Sequence, residues 1–250
     1  MSTHERHDDA PVALITGAGS GIGRALAHRF SHLGYRTVLA GRREPPLHET
    51  ADALPLPSIV APADLTSPNA CQSVVDLAVE HFGRLDALVN NAGWAPCTPI
   101  DLTTPSLLHD AFDINALAPG YLTLAAWKVF LKQNAADHAA GKPPRGGTLI
   151  YISSMATLDP FPGLFAYAAA KASLNLMARA AHNEGKDHGI RAFSFAPGAV
   201  ETDMLRGIVS ADLLPADRTL KPDDVAQLVV QCLTPQLDEQ RGQTILIPSP

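Results

Sequence analysis

The sequence has few cysteines, no basic cluster and no long apolar run, and each absence narrows the functions open to it. Its three cysteines, Cys71, Cys97 and Cys232, are widely spaced and form no Cys-x-x-Cys pair. Reduced thiols in a cytoplasmic protein are therefore expected. Lys and Arg number 19 against 25 Asp and Glu, with no basic run. This balance provides no electrostatic surface for nucleic acid or for an anionic membrane.

The N-terminal residues and the apolar segments argue against a secreted protein and against a membrane protein. Residues 1–10 are polar and charged and lack the apolar core of a signal peptide, so we expect a flexible tail that includes His4 and His7. No window is long enough to span a bilayer, and no membrane partner is expected. Residues 11–250 are predicted to form one domain, because α/β folds of this size are often single.

Ser154, Tyr167 and Lys171 form the first group of candidate functional residues. Tyr167 and Lys171 are four residues apart, so on a helix their side chains share a face. A nearby ammonium favours phenolate over phenol and should lower the pKa of the tyrosine from its reference value of about 10. Such groups can move a proton on and off an alcohol oxygen. Because Tyr-x-x-x-Lys is also a common chance pattern, the other motifs decide its meaning.

A glycine-rich turn follows the first apolar run. The strand-like segment Val12–Ile15 leads into Thr16–Gly23, and apolar residues then recur at helical spacing as far as Leu33. A strand, a glycine turn and a helix direct free backbone N–H groups and a positive helix end at a pyrophosphate. The pattern is Thr-Gly-x-x-x-Gly-x-Gly, which differs from the common Gly-x-Gly-x-x-Gly fingerprint. It favours nucleotide binding.

Strand-like runs alternate with helical patterns along the whole chain. The alternation predicts an α/β fold of the Rossmann type, a doubly wound parallel sheet of about seven strands with helices on both faces. Ligands should collect at the carboxyl ends of the strands. The polar stretch Ala135–Gly147 is predicted to be a surface loop. The predicted strands are Val12–Thr16, Arg36–Ala40, Ser58–Ala61, Ala87–Asn90, Thr148–Ser153, Arg191–Ala196 and Thr244–Ile247. The main predicted helices are Gly21–Leu33, Asn69–Phe82, Leu107–Ala118, Gly120–Gln133, Ala166–Glu184 and Asp223–Cys232.

Together these motifs resemble those of the short-chain dehydrogenase/reductase family, in its standard compact branch. The matching residues occur in family order: Thr16–Gly23, Asp64-Leu65, Asn90–Gly93, Asn115, Ser154, Tyr167, Lys171, Pro197-Gly198 and Thr202. The resemblance implies an NAD(P)-dependent oxidoreductase that exchanges a hydride between a nicotinamide cofactor and an alcohol or ketone. It also implies a homo-oligomer, a dimer or a tetramer. The final stretch Gly242–Pro250 departs from the family's usual glycine-rich ending, which bears on subunit contacts and not on the chemistry.

The resemblance assigns a role to each catalytic candidate. Tyr167 is the expected general acid/base, Lys171 favours its phenolate and holds the nicotinamide ribose, and Ser154 donates a hydrogen bond to the reacting oxygen. Asn115 is expected to hold a water that continues a proton relay from Lys171. The cofactor carries the hydride chemistry, and no metal is required.

The resemblance also implies which residues hold the cofactor, and they follow successive strands. Asp64 and Leu65 are expected to bracket the adenine, although Asp64 could instead cap the next helix. Backbone near Val200 and the Thr202 hydroxyl are expected at the nicotinamide carboxamide. The full set is Gly17, Gly19, Ser20, Gly21, Ile22, Gly23, Arg42, Asp64, Leu65, Asn91, Ala92, Gly93, Tyr167, Lys171, Pro197, Gly198, Val200 and Thr202.

The end of the second predicted strand favours NADP over NAD. Gly41 stands where an NAD enzyme places an acidic residue for the ribose hydroxyls, and Arg42 follows it. A guanidinium there can bind a ribose 2′-phosphate. The alternatives are that Arg42 and Arg43 are merely solvated, or that Arg42 stacks on adenine with NAD as the cofactor.

The predicted substrate pocket is apolar and carries no fixed charge near the reacting carbon. We therefore expect an uncharged, medium-sized hydrophobic ketone or secondary alcohol, beneath a substrate loop at about residues 203–220. The expected walls are Trp94, Cys97, Ala156, Leu158, Phe161, Val200 and Met204. The alternative function is a catalytically silent NAD(P)-binding regulator, which would bind the cofactor without turning it over.

Overall fold

The computed structural model describes residues 9–250, so most of the predicted N-terminal tail lies outside the described residues. Seven parallel strands form one sheet in these residues, in the order β3-β2-β1-β4-β5-β6-β7. The strands are β1 (Val12–Thr16), β2 (Arg36–Gly41), β3 (Ser58–Pro62), β4 (Ala87–Asn90), β5 (Gly147–Ile152), β6 (Ile190–Pro197) and β7 (Thr244–Ile247). Since β1 and β4 are neighbours at the centre, the chain winds outward in both directions from them. The Rossmann-type fold class is confirmed.

Helices cover both faces of the sheet. They are α1 (Gly21–His32), α2 (Glu44–Asp52), α3 (Pro68–Phe82), α4 (Pro105–Phe112), α5 (Ala118–Ala139), α6 (Phe165–Gly185), α7 (Asp203–Arg206) and α8 (Pro222–Val229). Short 3₁₀ turns occur at Ile100–Leu102, Met155–Thr157, Lys186–His188, Ala216–Arg218, Val230–Leu233 and Pro235–Gln240.

The core consists of two apolar layers, one on each side of the sheet. On one side, Phe130 of α5 and Tyr151 of β5 pack with residues of α3 and α6. On the other side, Phe30 of α1 and Phe193 of β6 pack with residues of α8. All the residues of β1, β4 and β5 are buried, as expected for parallel strands covered on both faces.

Helix α2 and the end of α5 differ from the sequence prediction. Helix α2 was not predicted; its first turn contains Pro45 and Pro46, which that turn tolerates because its N–H groups have no helical partner. The predicted loop Ala135–Gly147 is wrong in its first part, since α5 continues to Ala139. A contact with the following loop holds this end: the Asp137 carboxylate accepts two hydrogen bonds from the Arg145 guanidinium, at 2.6 and 2.8 Å.

A π-helical turn, Asp113–Leu117, joins α4 to α5. Pro119 follows it and has no N–H to bond the Asn115 carbonyl oxygen, as residue i+4 of an α-helix would. By length and composition alone, the joined helix Pro105–Ala139 could cross a membrane. The expectation that no segment is that long is therefore wrong. In this structure Leu122 and Phe130 on that helix are buried in the core.

Candidate active site

The glycine turn after β1 is shaped for a phosphate. Gly17 and Gly21 adopt positive φ angles of 65° and 50°, which favour glycine. A Cβ atom on Gly23 would lie 2.2 Å from the Gly17 carbonyl oxygen, so the turn closes only around glycines. In the described chain, Ser20 starts α1 without a side-chain cap, and the first turn carries no acidic residue. The first N–H groups of α1 can therefore bind an anion.

Thr16 and Asn91 hold the ends of β1 and β4 together beneath this turn. The Thr16 hydroxyl donates to the Val89 carbonyl at 3.1 Å and accepts from the N–H groups of Asn91 and Ala92, both at 2.9 Å. The Asn91 amide nitrogen donates to the Thr16 carbonyl at 2.8 Å. Asn91 thus ties the end of β4 to the end of β1, and Asn91, Ala92 and Gly93 all line the cavity.

Lys171 extends from α6 into the interior, where its ammonium donates to the Ile152 carbonyl at 2.8 Å. A Cβ atom on Gly93 would lie 3.2 Å from the Lys171 nitrogen and 2.7 Å from the Asn115 side-chain oxygen. Only a glycine at position 93 lets these two polar groups approach the same stretch of backbone. Burial lowers the pKa of Lys171 to about 8.

Asn115 is fully buried in the π-helical turn, and its side chain is bonded on both sides. Its amide nitrogen donates to the carbonyls of Trp94 and Ala111, at 2.7 and 2.9 Å, and its oxygen accepts from the Trp94 N–H at 3.1 Å. Asn115 therefore fixes the backbone that follows Gly93, beside Lys171.

Tyr167 and Ser154 line the same cavity as Lys171. Burial raises the pKa of Tyr167, while a hydrogen bond with Ser154 acts in the opposite direction. The expectation that Lys171 lowers this pKa is wrong for this arrangement. Burial of the phenol outweighs the Ser154 hydrogen bond, and the Lys171 ammonium is bonded to the Ile152 carbonyl, 5.9 Å from the centre of the Tyr167 ring.

The loop after β6 closes the cavity from the other side. A Cβ atom on Gly21 would lie 2.9 Å from the Thr202 methyl group, so Thr202 lies directly over the glycine turn. The Thr202 hydroxyl accepts from the Leu205 N–H at 3.2 Å and caps α7. Gly198 packs against Ser249, whose hydroxyl accepts from the Ala199 N–H at 2.7 Å. Pro197, Gly198, Val200 and Thr202 all line the cavity.

The candidate adenosine residues lie outside this cavity, at the ends of β2 and β3. Arg42 is exposed, and its side chain has no hydrogen-bond or ion-pair partner within residues 9–250. The Asp64 carboxylate accepts from the N–H and the hydroxyl of Thr66, at 3.2 and 2.9 Å, and the next helix is capped by Ser67 instead. Leu65 is buried in the apolar core, which its side chain joins.

The cavity encloses about 730 Å³ and brings most of the predicted site together. Gly19, Gly23 and Asn115 do not line it. Gly19 packs against Pro46, Gly23 against the Gly17 carbonyl, and the Asn115 side chain against Gly93. Of the predicted pocket walls, Ala156, Leu158, Phe161, Val200 and Met204 line the cavity, whereas Trp94 and Cys97 do not. Met155 and Leu164 are walls that were not predicted, whereas Leu205, Ile208, Val209 and Leu214 belong to the predicted substrate loop. The sequence analysis also missed two carboxylates, because Asp159 and Asp203 lie on the lining, so the expectation of an uncharged wall holds only for its apolar part.

The sequence and the fold match known proteins over nearly the whole chain. The family model described as short chain dehydrogenase matches residues 11–212. The chain belongs to the short-chain dehydrogenase family. An uncharacterised oxidoreductase of Staphylococcus aureus strain USA300 is 31% identical over 225 residues, which cover 89% of this chain and 90% of that relative. One from Staphylococcus epidermidis strain RP62A is 29% identical over 223 residues, with the same coverage.

Solved structures of short-chain dehydrogenases share the fold. The crystal structure of 3-ketoacyl-(acyl-carrier-protein) reductase from Brucella melitensis, complexed with NADH, superposes with a TM-score of 0.86 at 27% identity. The match covers 96% of this chain and 98% of that chain. Levodione reductase matches with a TM-score of 0.84 at 24% identity over 95% of each chain, a likeness of fold alone. This short-chain dehydrogenase is thus an oxidoreductase of CH–OH and C=O groups that uses a nicotinamide cofactor.

Proposed function

We propose that this enzyme catalyses reversible hydride transfer between NADP and a hydrophobic ketone or secondary alcohol, with Tyr167 as the general acid/base. The observation that carries the proposal is that Ser154, Tyr167 and Lys171 line one cavity with the glycine turn. The glycine cradle and the free helix end fit the pyrophosphate of a nicotinamide cofactor. When bound, the nicotinamide supplies or accepts the hydride.

The protein's own groups handle the proton. In carbonyl reduction Tyr167 donates its phenolic proton to the oxygen that becomes the alcohol, and in oxidation its phenolate accepts that proton. Ser154 donates a hydrogen bond to the same oxygen and stabilises the charge that develops there. The Lys171 ammonium holds the ribose hydroxyls of the nicotinamide cofactor, and the Ser154 hydrogen bond favours the phenolate of Tyr167. Asn115 fixes the backbone next to Lys171 and holds the water through which the proton reaches solvent.

The choice of NADP is supported by the surroundings of Arg42. Its guanidinium is exposed next to the end of β2, and it has no competing partner among residues 9–250. A ribose 2′-phosphate is the group that such a planar donor binds best. In this proposal Asp64 and the backbone of Leu65 border the adenine on the far side. NAD remains the alternative.

The substrate class is proposed from the cavity walls. The part beyond Tyr167 is formed mainly by aliphatic and aromatic side chains, among them Leu158, Phe161 and Leu214. Asp159 and Asp203 are the two carboxylates on the lining, and they would repel an anionic substrate. An uncharged hydrophobic ketone fits both features.

We further propose a cytoplasmic homo-oligomer. The three cysteines are free thiols, which is consistent with a reducing compartment. The exposed side of α5 and α6 carries Leu124 and Leu176, each 64% exposed, which would be buried by a second copy of the chain.

The test is turnover of NADPH with a panel of ketones by the wild type and by Tyr167→Phe. The substitution keeps the ring and removes the ionisable oxygen. Because general acid/base catalysis contributes about 10²–10⁴-fold, kcat should fall by at least that range while NADPH still binds. Near-normal turnover by Tyr167→Phe would remove Tyr167 from this role. Cofactor binding with no turnover of any ketone or alcohol by the wild type would favour the silent regulator.

A further inference from the structure

The substrate loop is closed at its base by backbone hydrogen bonds. Val200 and Leu220 form a parallel bridge where the loop leaves and rejoins the domain. The Glu201 N–H donates to the Leu220 carbonyl, and the Leu220 N–H donates to the Ala199 carbonyl, both at 2.8 Å. These bonds fix the distance between the two ends of the loop. They do not hold the residues between the ends, which need contacts of their own.

Arg206 at the end of α7 provides that restraint. Its guanidinium forms a two-point contact with the Glu201 carboxylate, in which Nε donates at 2.7 Å. Its remaining terminal nitrogen donates to the carbonyls of Leu214 at 2.9 Å and Val209 at 3.5 Å. The Thr219 hydroxyl donates to the same Glu201 carboxylate at 3.2 Å. One guanidinium thus connects the start, the middle and the far side of the loop.

The carbonyls that Arg206 binds belong to cavity walls. Val209 and Leu214 line the cavity, together with Ile208 between α7 and Val209. Arg206 itself does not line the cavity. It therefore acts on the substrate space only through the apolar side chains whose backbone it holds.

We propose that Arg206 is the positioning residue that sets the size of the substrate pocket, by holding the Ile208–Leu214 wall against it. This inference rests on the proposed function, because it assigns the pocket to a substrate. That Arg206 holds the loop rests on its hydrogen bonds to Glu201, Val209 and Leu214 alone. A lysine cannot replace Arg206, because a single ammonium lacks the planar set of donors that reaches a carboxylate and two carbonyls together. The ion pair is partly exposed, so the effect should be moderate and should decrease with salt.

The test compares Arg206→Ala and Arg206→Lys with Arg218→Ala. Arg218 lies in the same loop, is exposed and has no side-chain partner within residues 9–250, so it controls for charge and location. Both Arg206 variants should raise KM for a compact ketone by about 5- to 30-fold, with the dissociation constant of NADPH unchanged. The KM for bulky ketones should rise less, because the Ile208–Leu214 wall can move outward in these variants. Arg218→Ala should behave as wild type.

Hydrogen exchange of the amides of residues 207–214 gives a readout that needs no substrate. Exchange there should be faster in Arg206→Ala than in Arg218→Ala, and Glu201→Gln, which keeps the shape of the side chain, should lie between them. Equal exchange in all variants would show that Arg206 does not hold residues 207–214 in place. Faster exchange with unchanged KM for every ketone overturns the positioning role. If the wild type turns over no substrate, the proposed function fails and the exchange comparison alone decides whether Arg206 holds the loop.

Discussion

Lys171 is a cation in an apolar interior, with its side chain 3% exposed. Burial lowers its pKa from 10.5 to about 8, a difference that corresponds to ~3 kcal/mol. Below pH 8 the folded protein must keep this ammonium charged against the cost of burial. Gly93 and Asn115, which border the ammonium, show that the surrounding backbone is arranged to accept it.

Replacing Lys171 with methionine should therefore stabilise the protein near neutral pH. The unfolded chain binds the proton more tightly, so wild-type stability rises between pH 8 and 10.5 as the penalty disappears. We expect Lys171→Met to be more stable than wild type at pH 7, by up to ~3 kcal/mol, and the gap to close toward pH 10. Urea unfolding at both pH values measures this, with the exposed Lys128→Met as control. A gap independent of pH would contradict the assigned cause.

Arg42 and Gly41 allow the cofactor preference to be changed. A charge-assisted hydrogen bond contributes about 1.5–3 kcal/mol, so Arg42→Ala should weaken NADPH by roughly ten- to a hundredfold and leave NADH nearly unchanged. A Cβ atom on Gly41 would lie 3.5 Å from Leu47, an ordinary contact, so Gly41→Asp fits without strain. Its carboxylate should repel the 2′-phosphate and accept hydrogen bonds from free ribose hydroxyls.

The measurement is kcat/KM with both cofactors for wild type, the two variants and Arg43→Ala. Arg43 is the exposed neighbour of Arg42 and should have little effect. If the wild type prefers NADH, or if Arg42→Ala weakens both cofactors equally, Arg42 is a stacking or surface residue.

Helices α1 and α2 are joined to the glycine turn by Arg24. Its guanidinium donates to the Gly19 carbonyl at 2.6 Å, to the Thr50 hydroxyl at 3.1 Å and to the Glu49 carboxylate at 2.9 Å. Thr50 in turn donates to the Ala18 carbonyl at 3.0 Å. Two consecutive carbonyls of the turn are thus held by α1 and α2 together, which fixes the direction of its N–H groups.

Replacing Arg24 should weaken cofactor binding and leave the rate of the hydride-transfer step unchanged. Arg24→Ala should raise the dissociation constant of NADPH roughly tenfold, since the lost bonds are charge-assisted but partly exposed. Arg29→Ala is the matched control, because Arg29 lies on the same helix and pairs with Asp223 of α8 instead. Fluorescence titration of NADPH compares the two, and equal losses would mean that Arg24 only stabilises the helix.

The sequence predicted the strands well because their signal is local. All seven strands lie within one residue of the predicted bounds, since short apolar runs mark them directly. The errors depend on side-chain contacts that no local pattern shows. The end of α5 is held by the contact of Asp137 with Arg145 and by the hydrogen bond from Asn134 to the His188 carbonyl. The substrate loop was predicted, but the inward placement of Ile208, Val209 and Leu214 follows the contacts of Arg206, which no periodicity reveals.

The candidate site was predictable to a similar extent. Motif order was sufficient to bring Ser154, Tyr167 and Lys171 to one cavity. The direction of the Tyr167 pKa shift was not predictable, because it is set by how deeply the folded chain buries the phenol.

Helices α5 and α6 leave large apolar side chains in water. On the α5–α6 side, Leu124, Trp127 and Met177 line a hollow of about 360 Å³, and Leu176 of α6 is exposed. If a second copy of the chain covers this side, Leu124→Glu should lower the association state by burying an unpaired charge. Sedimentation velocity measures this, with the exposed Leu33→Glu on α1 as control. Unchanged association in both variants would place the subunit contact elsewhere.

The π-helical turn at Asp113–Leu117 also makes the chain sensitive to length at one point. A π turn holds one residue more than an α turn, so deleting a residue there would restore a regular helix. Because the wide turn absorbs its extra residue, the helical segments before and after it would keep nearly the same rotational phase. Leu122 and Phe130 would stay in the core, whereas Asn115 would lose the wide turn that places its amide beside Gly93. The extra residue therefore positions a polar side chain at the active site without changing the face that α5 packs against the sheet.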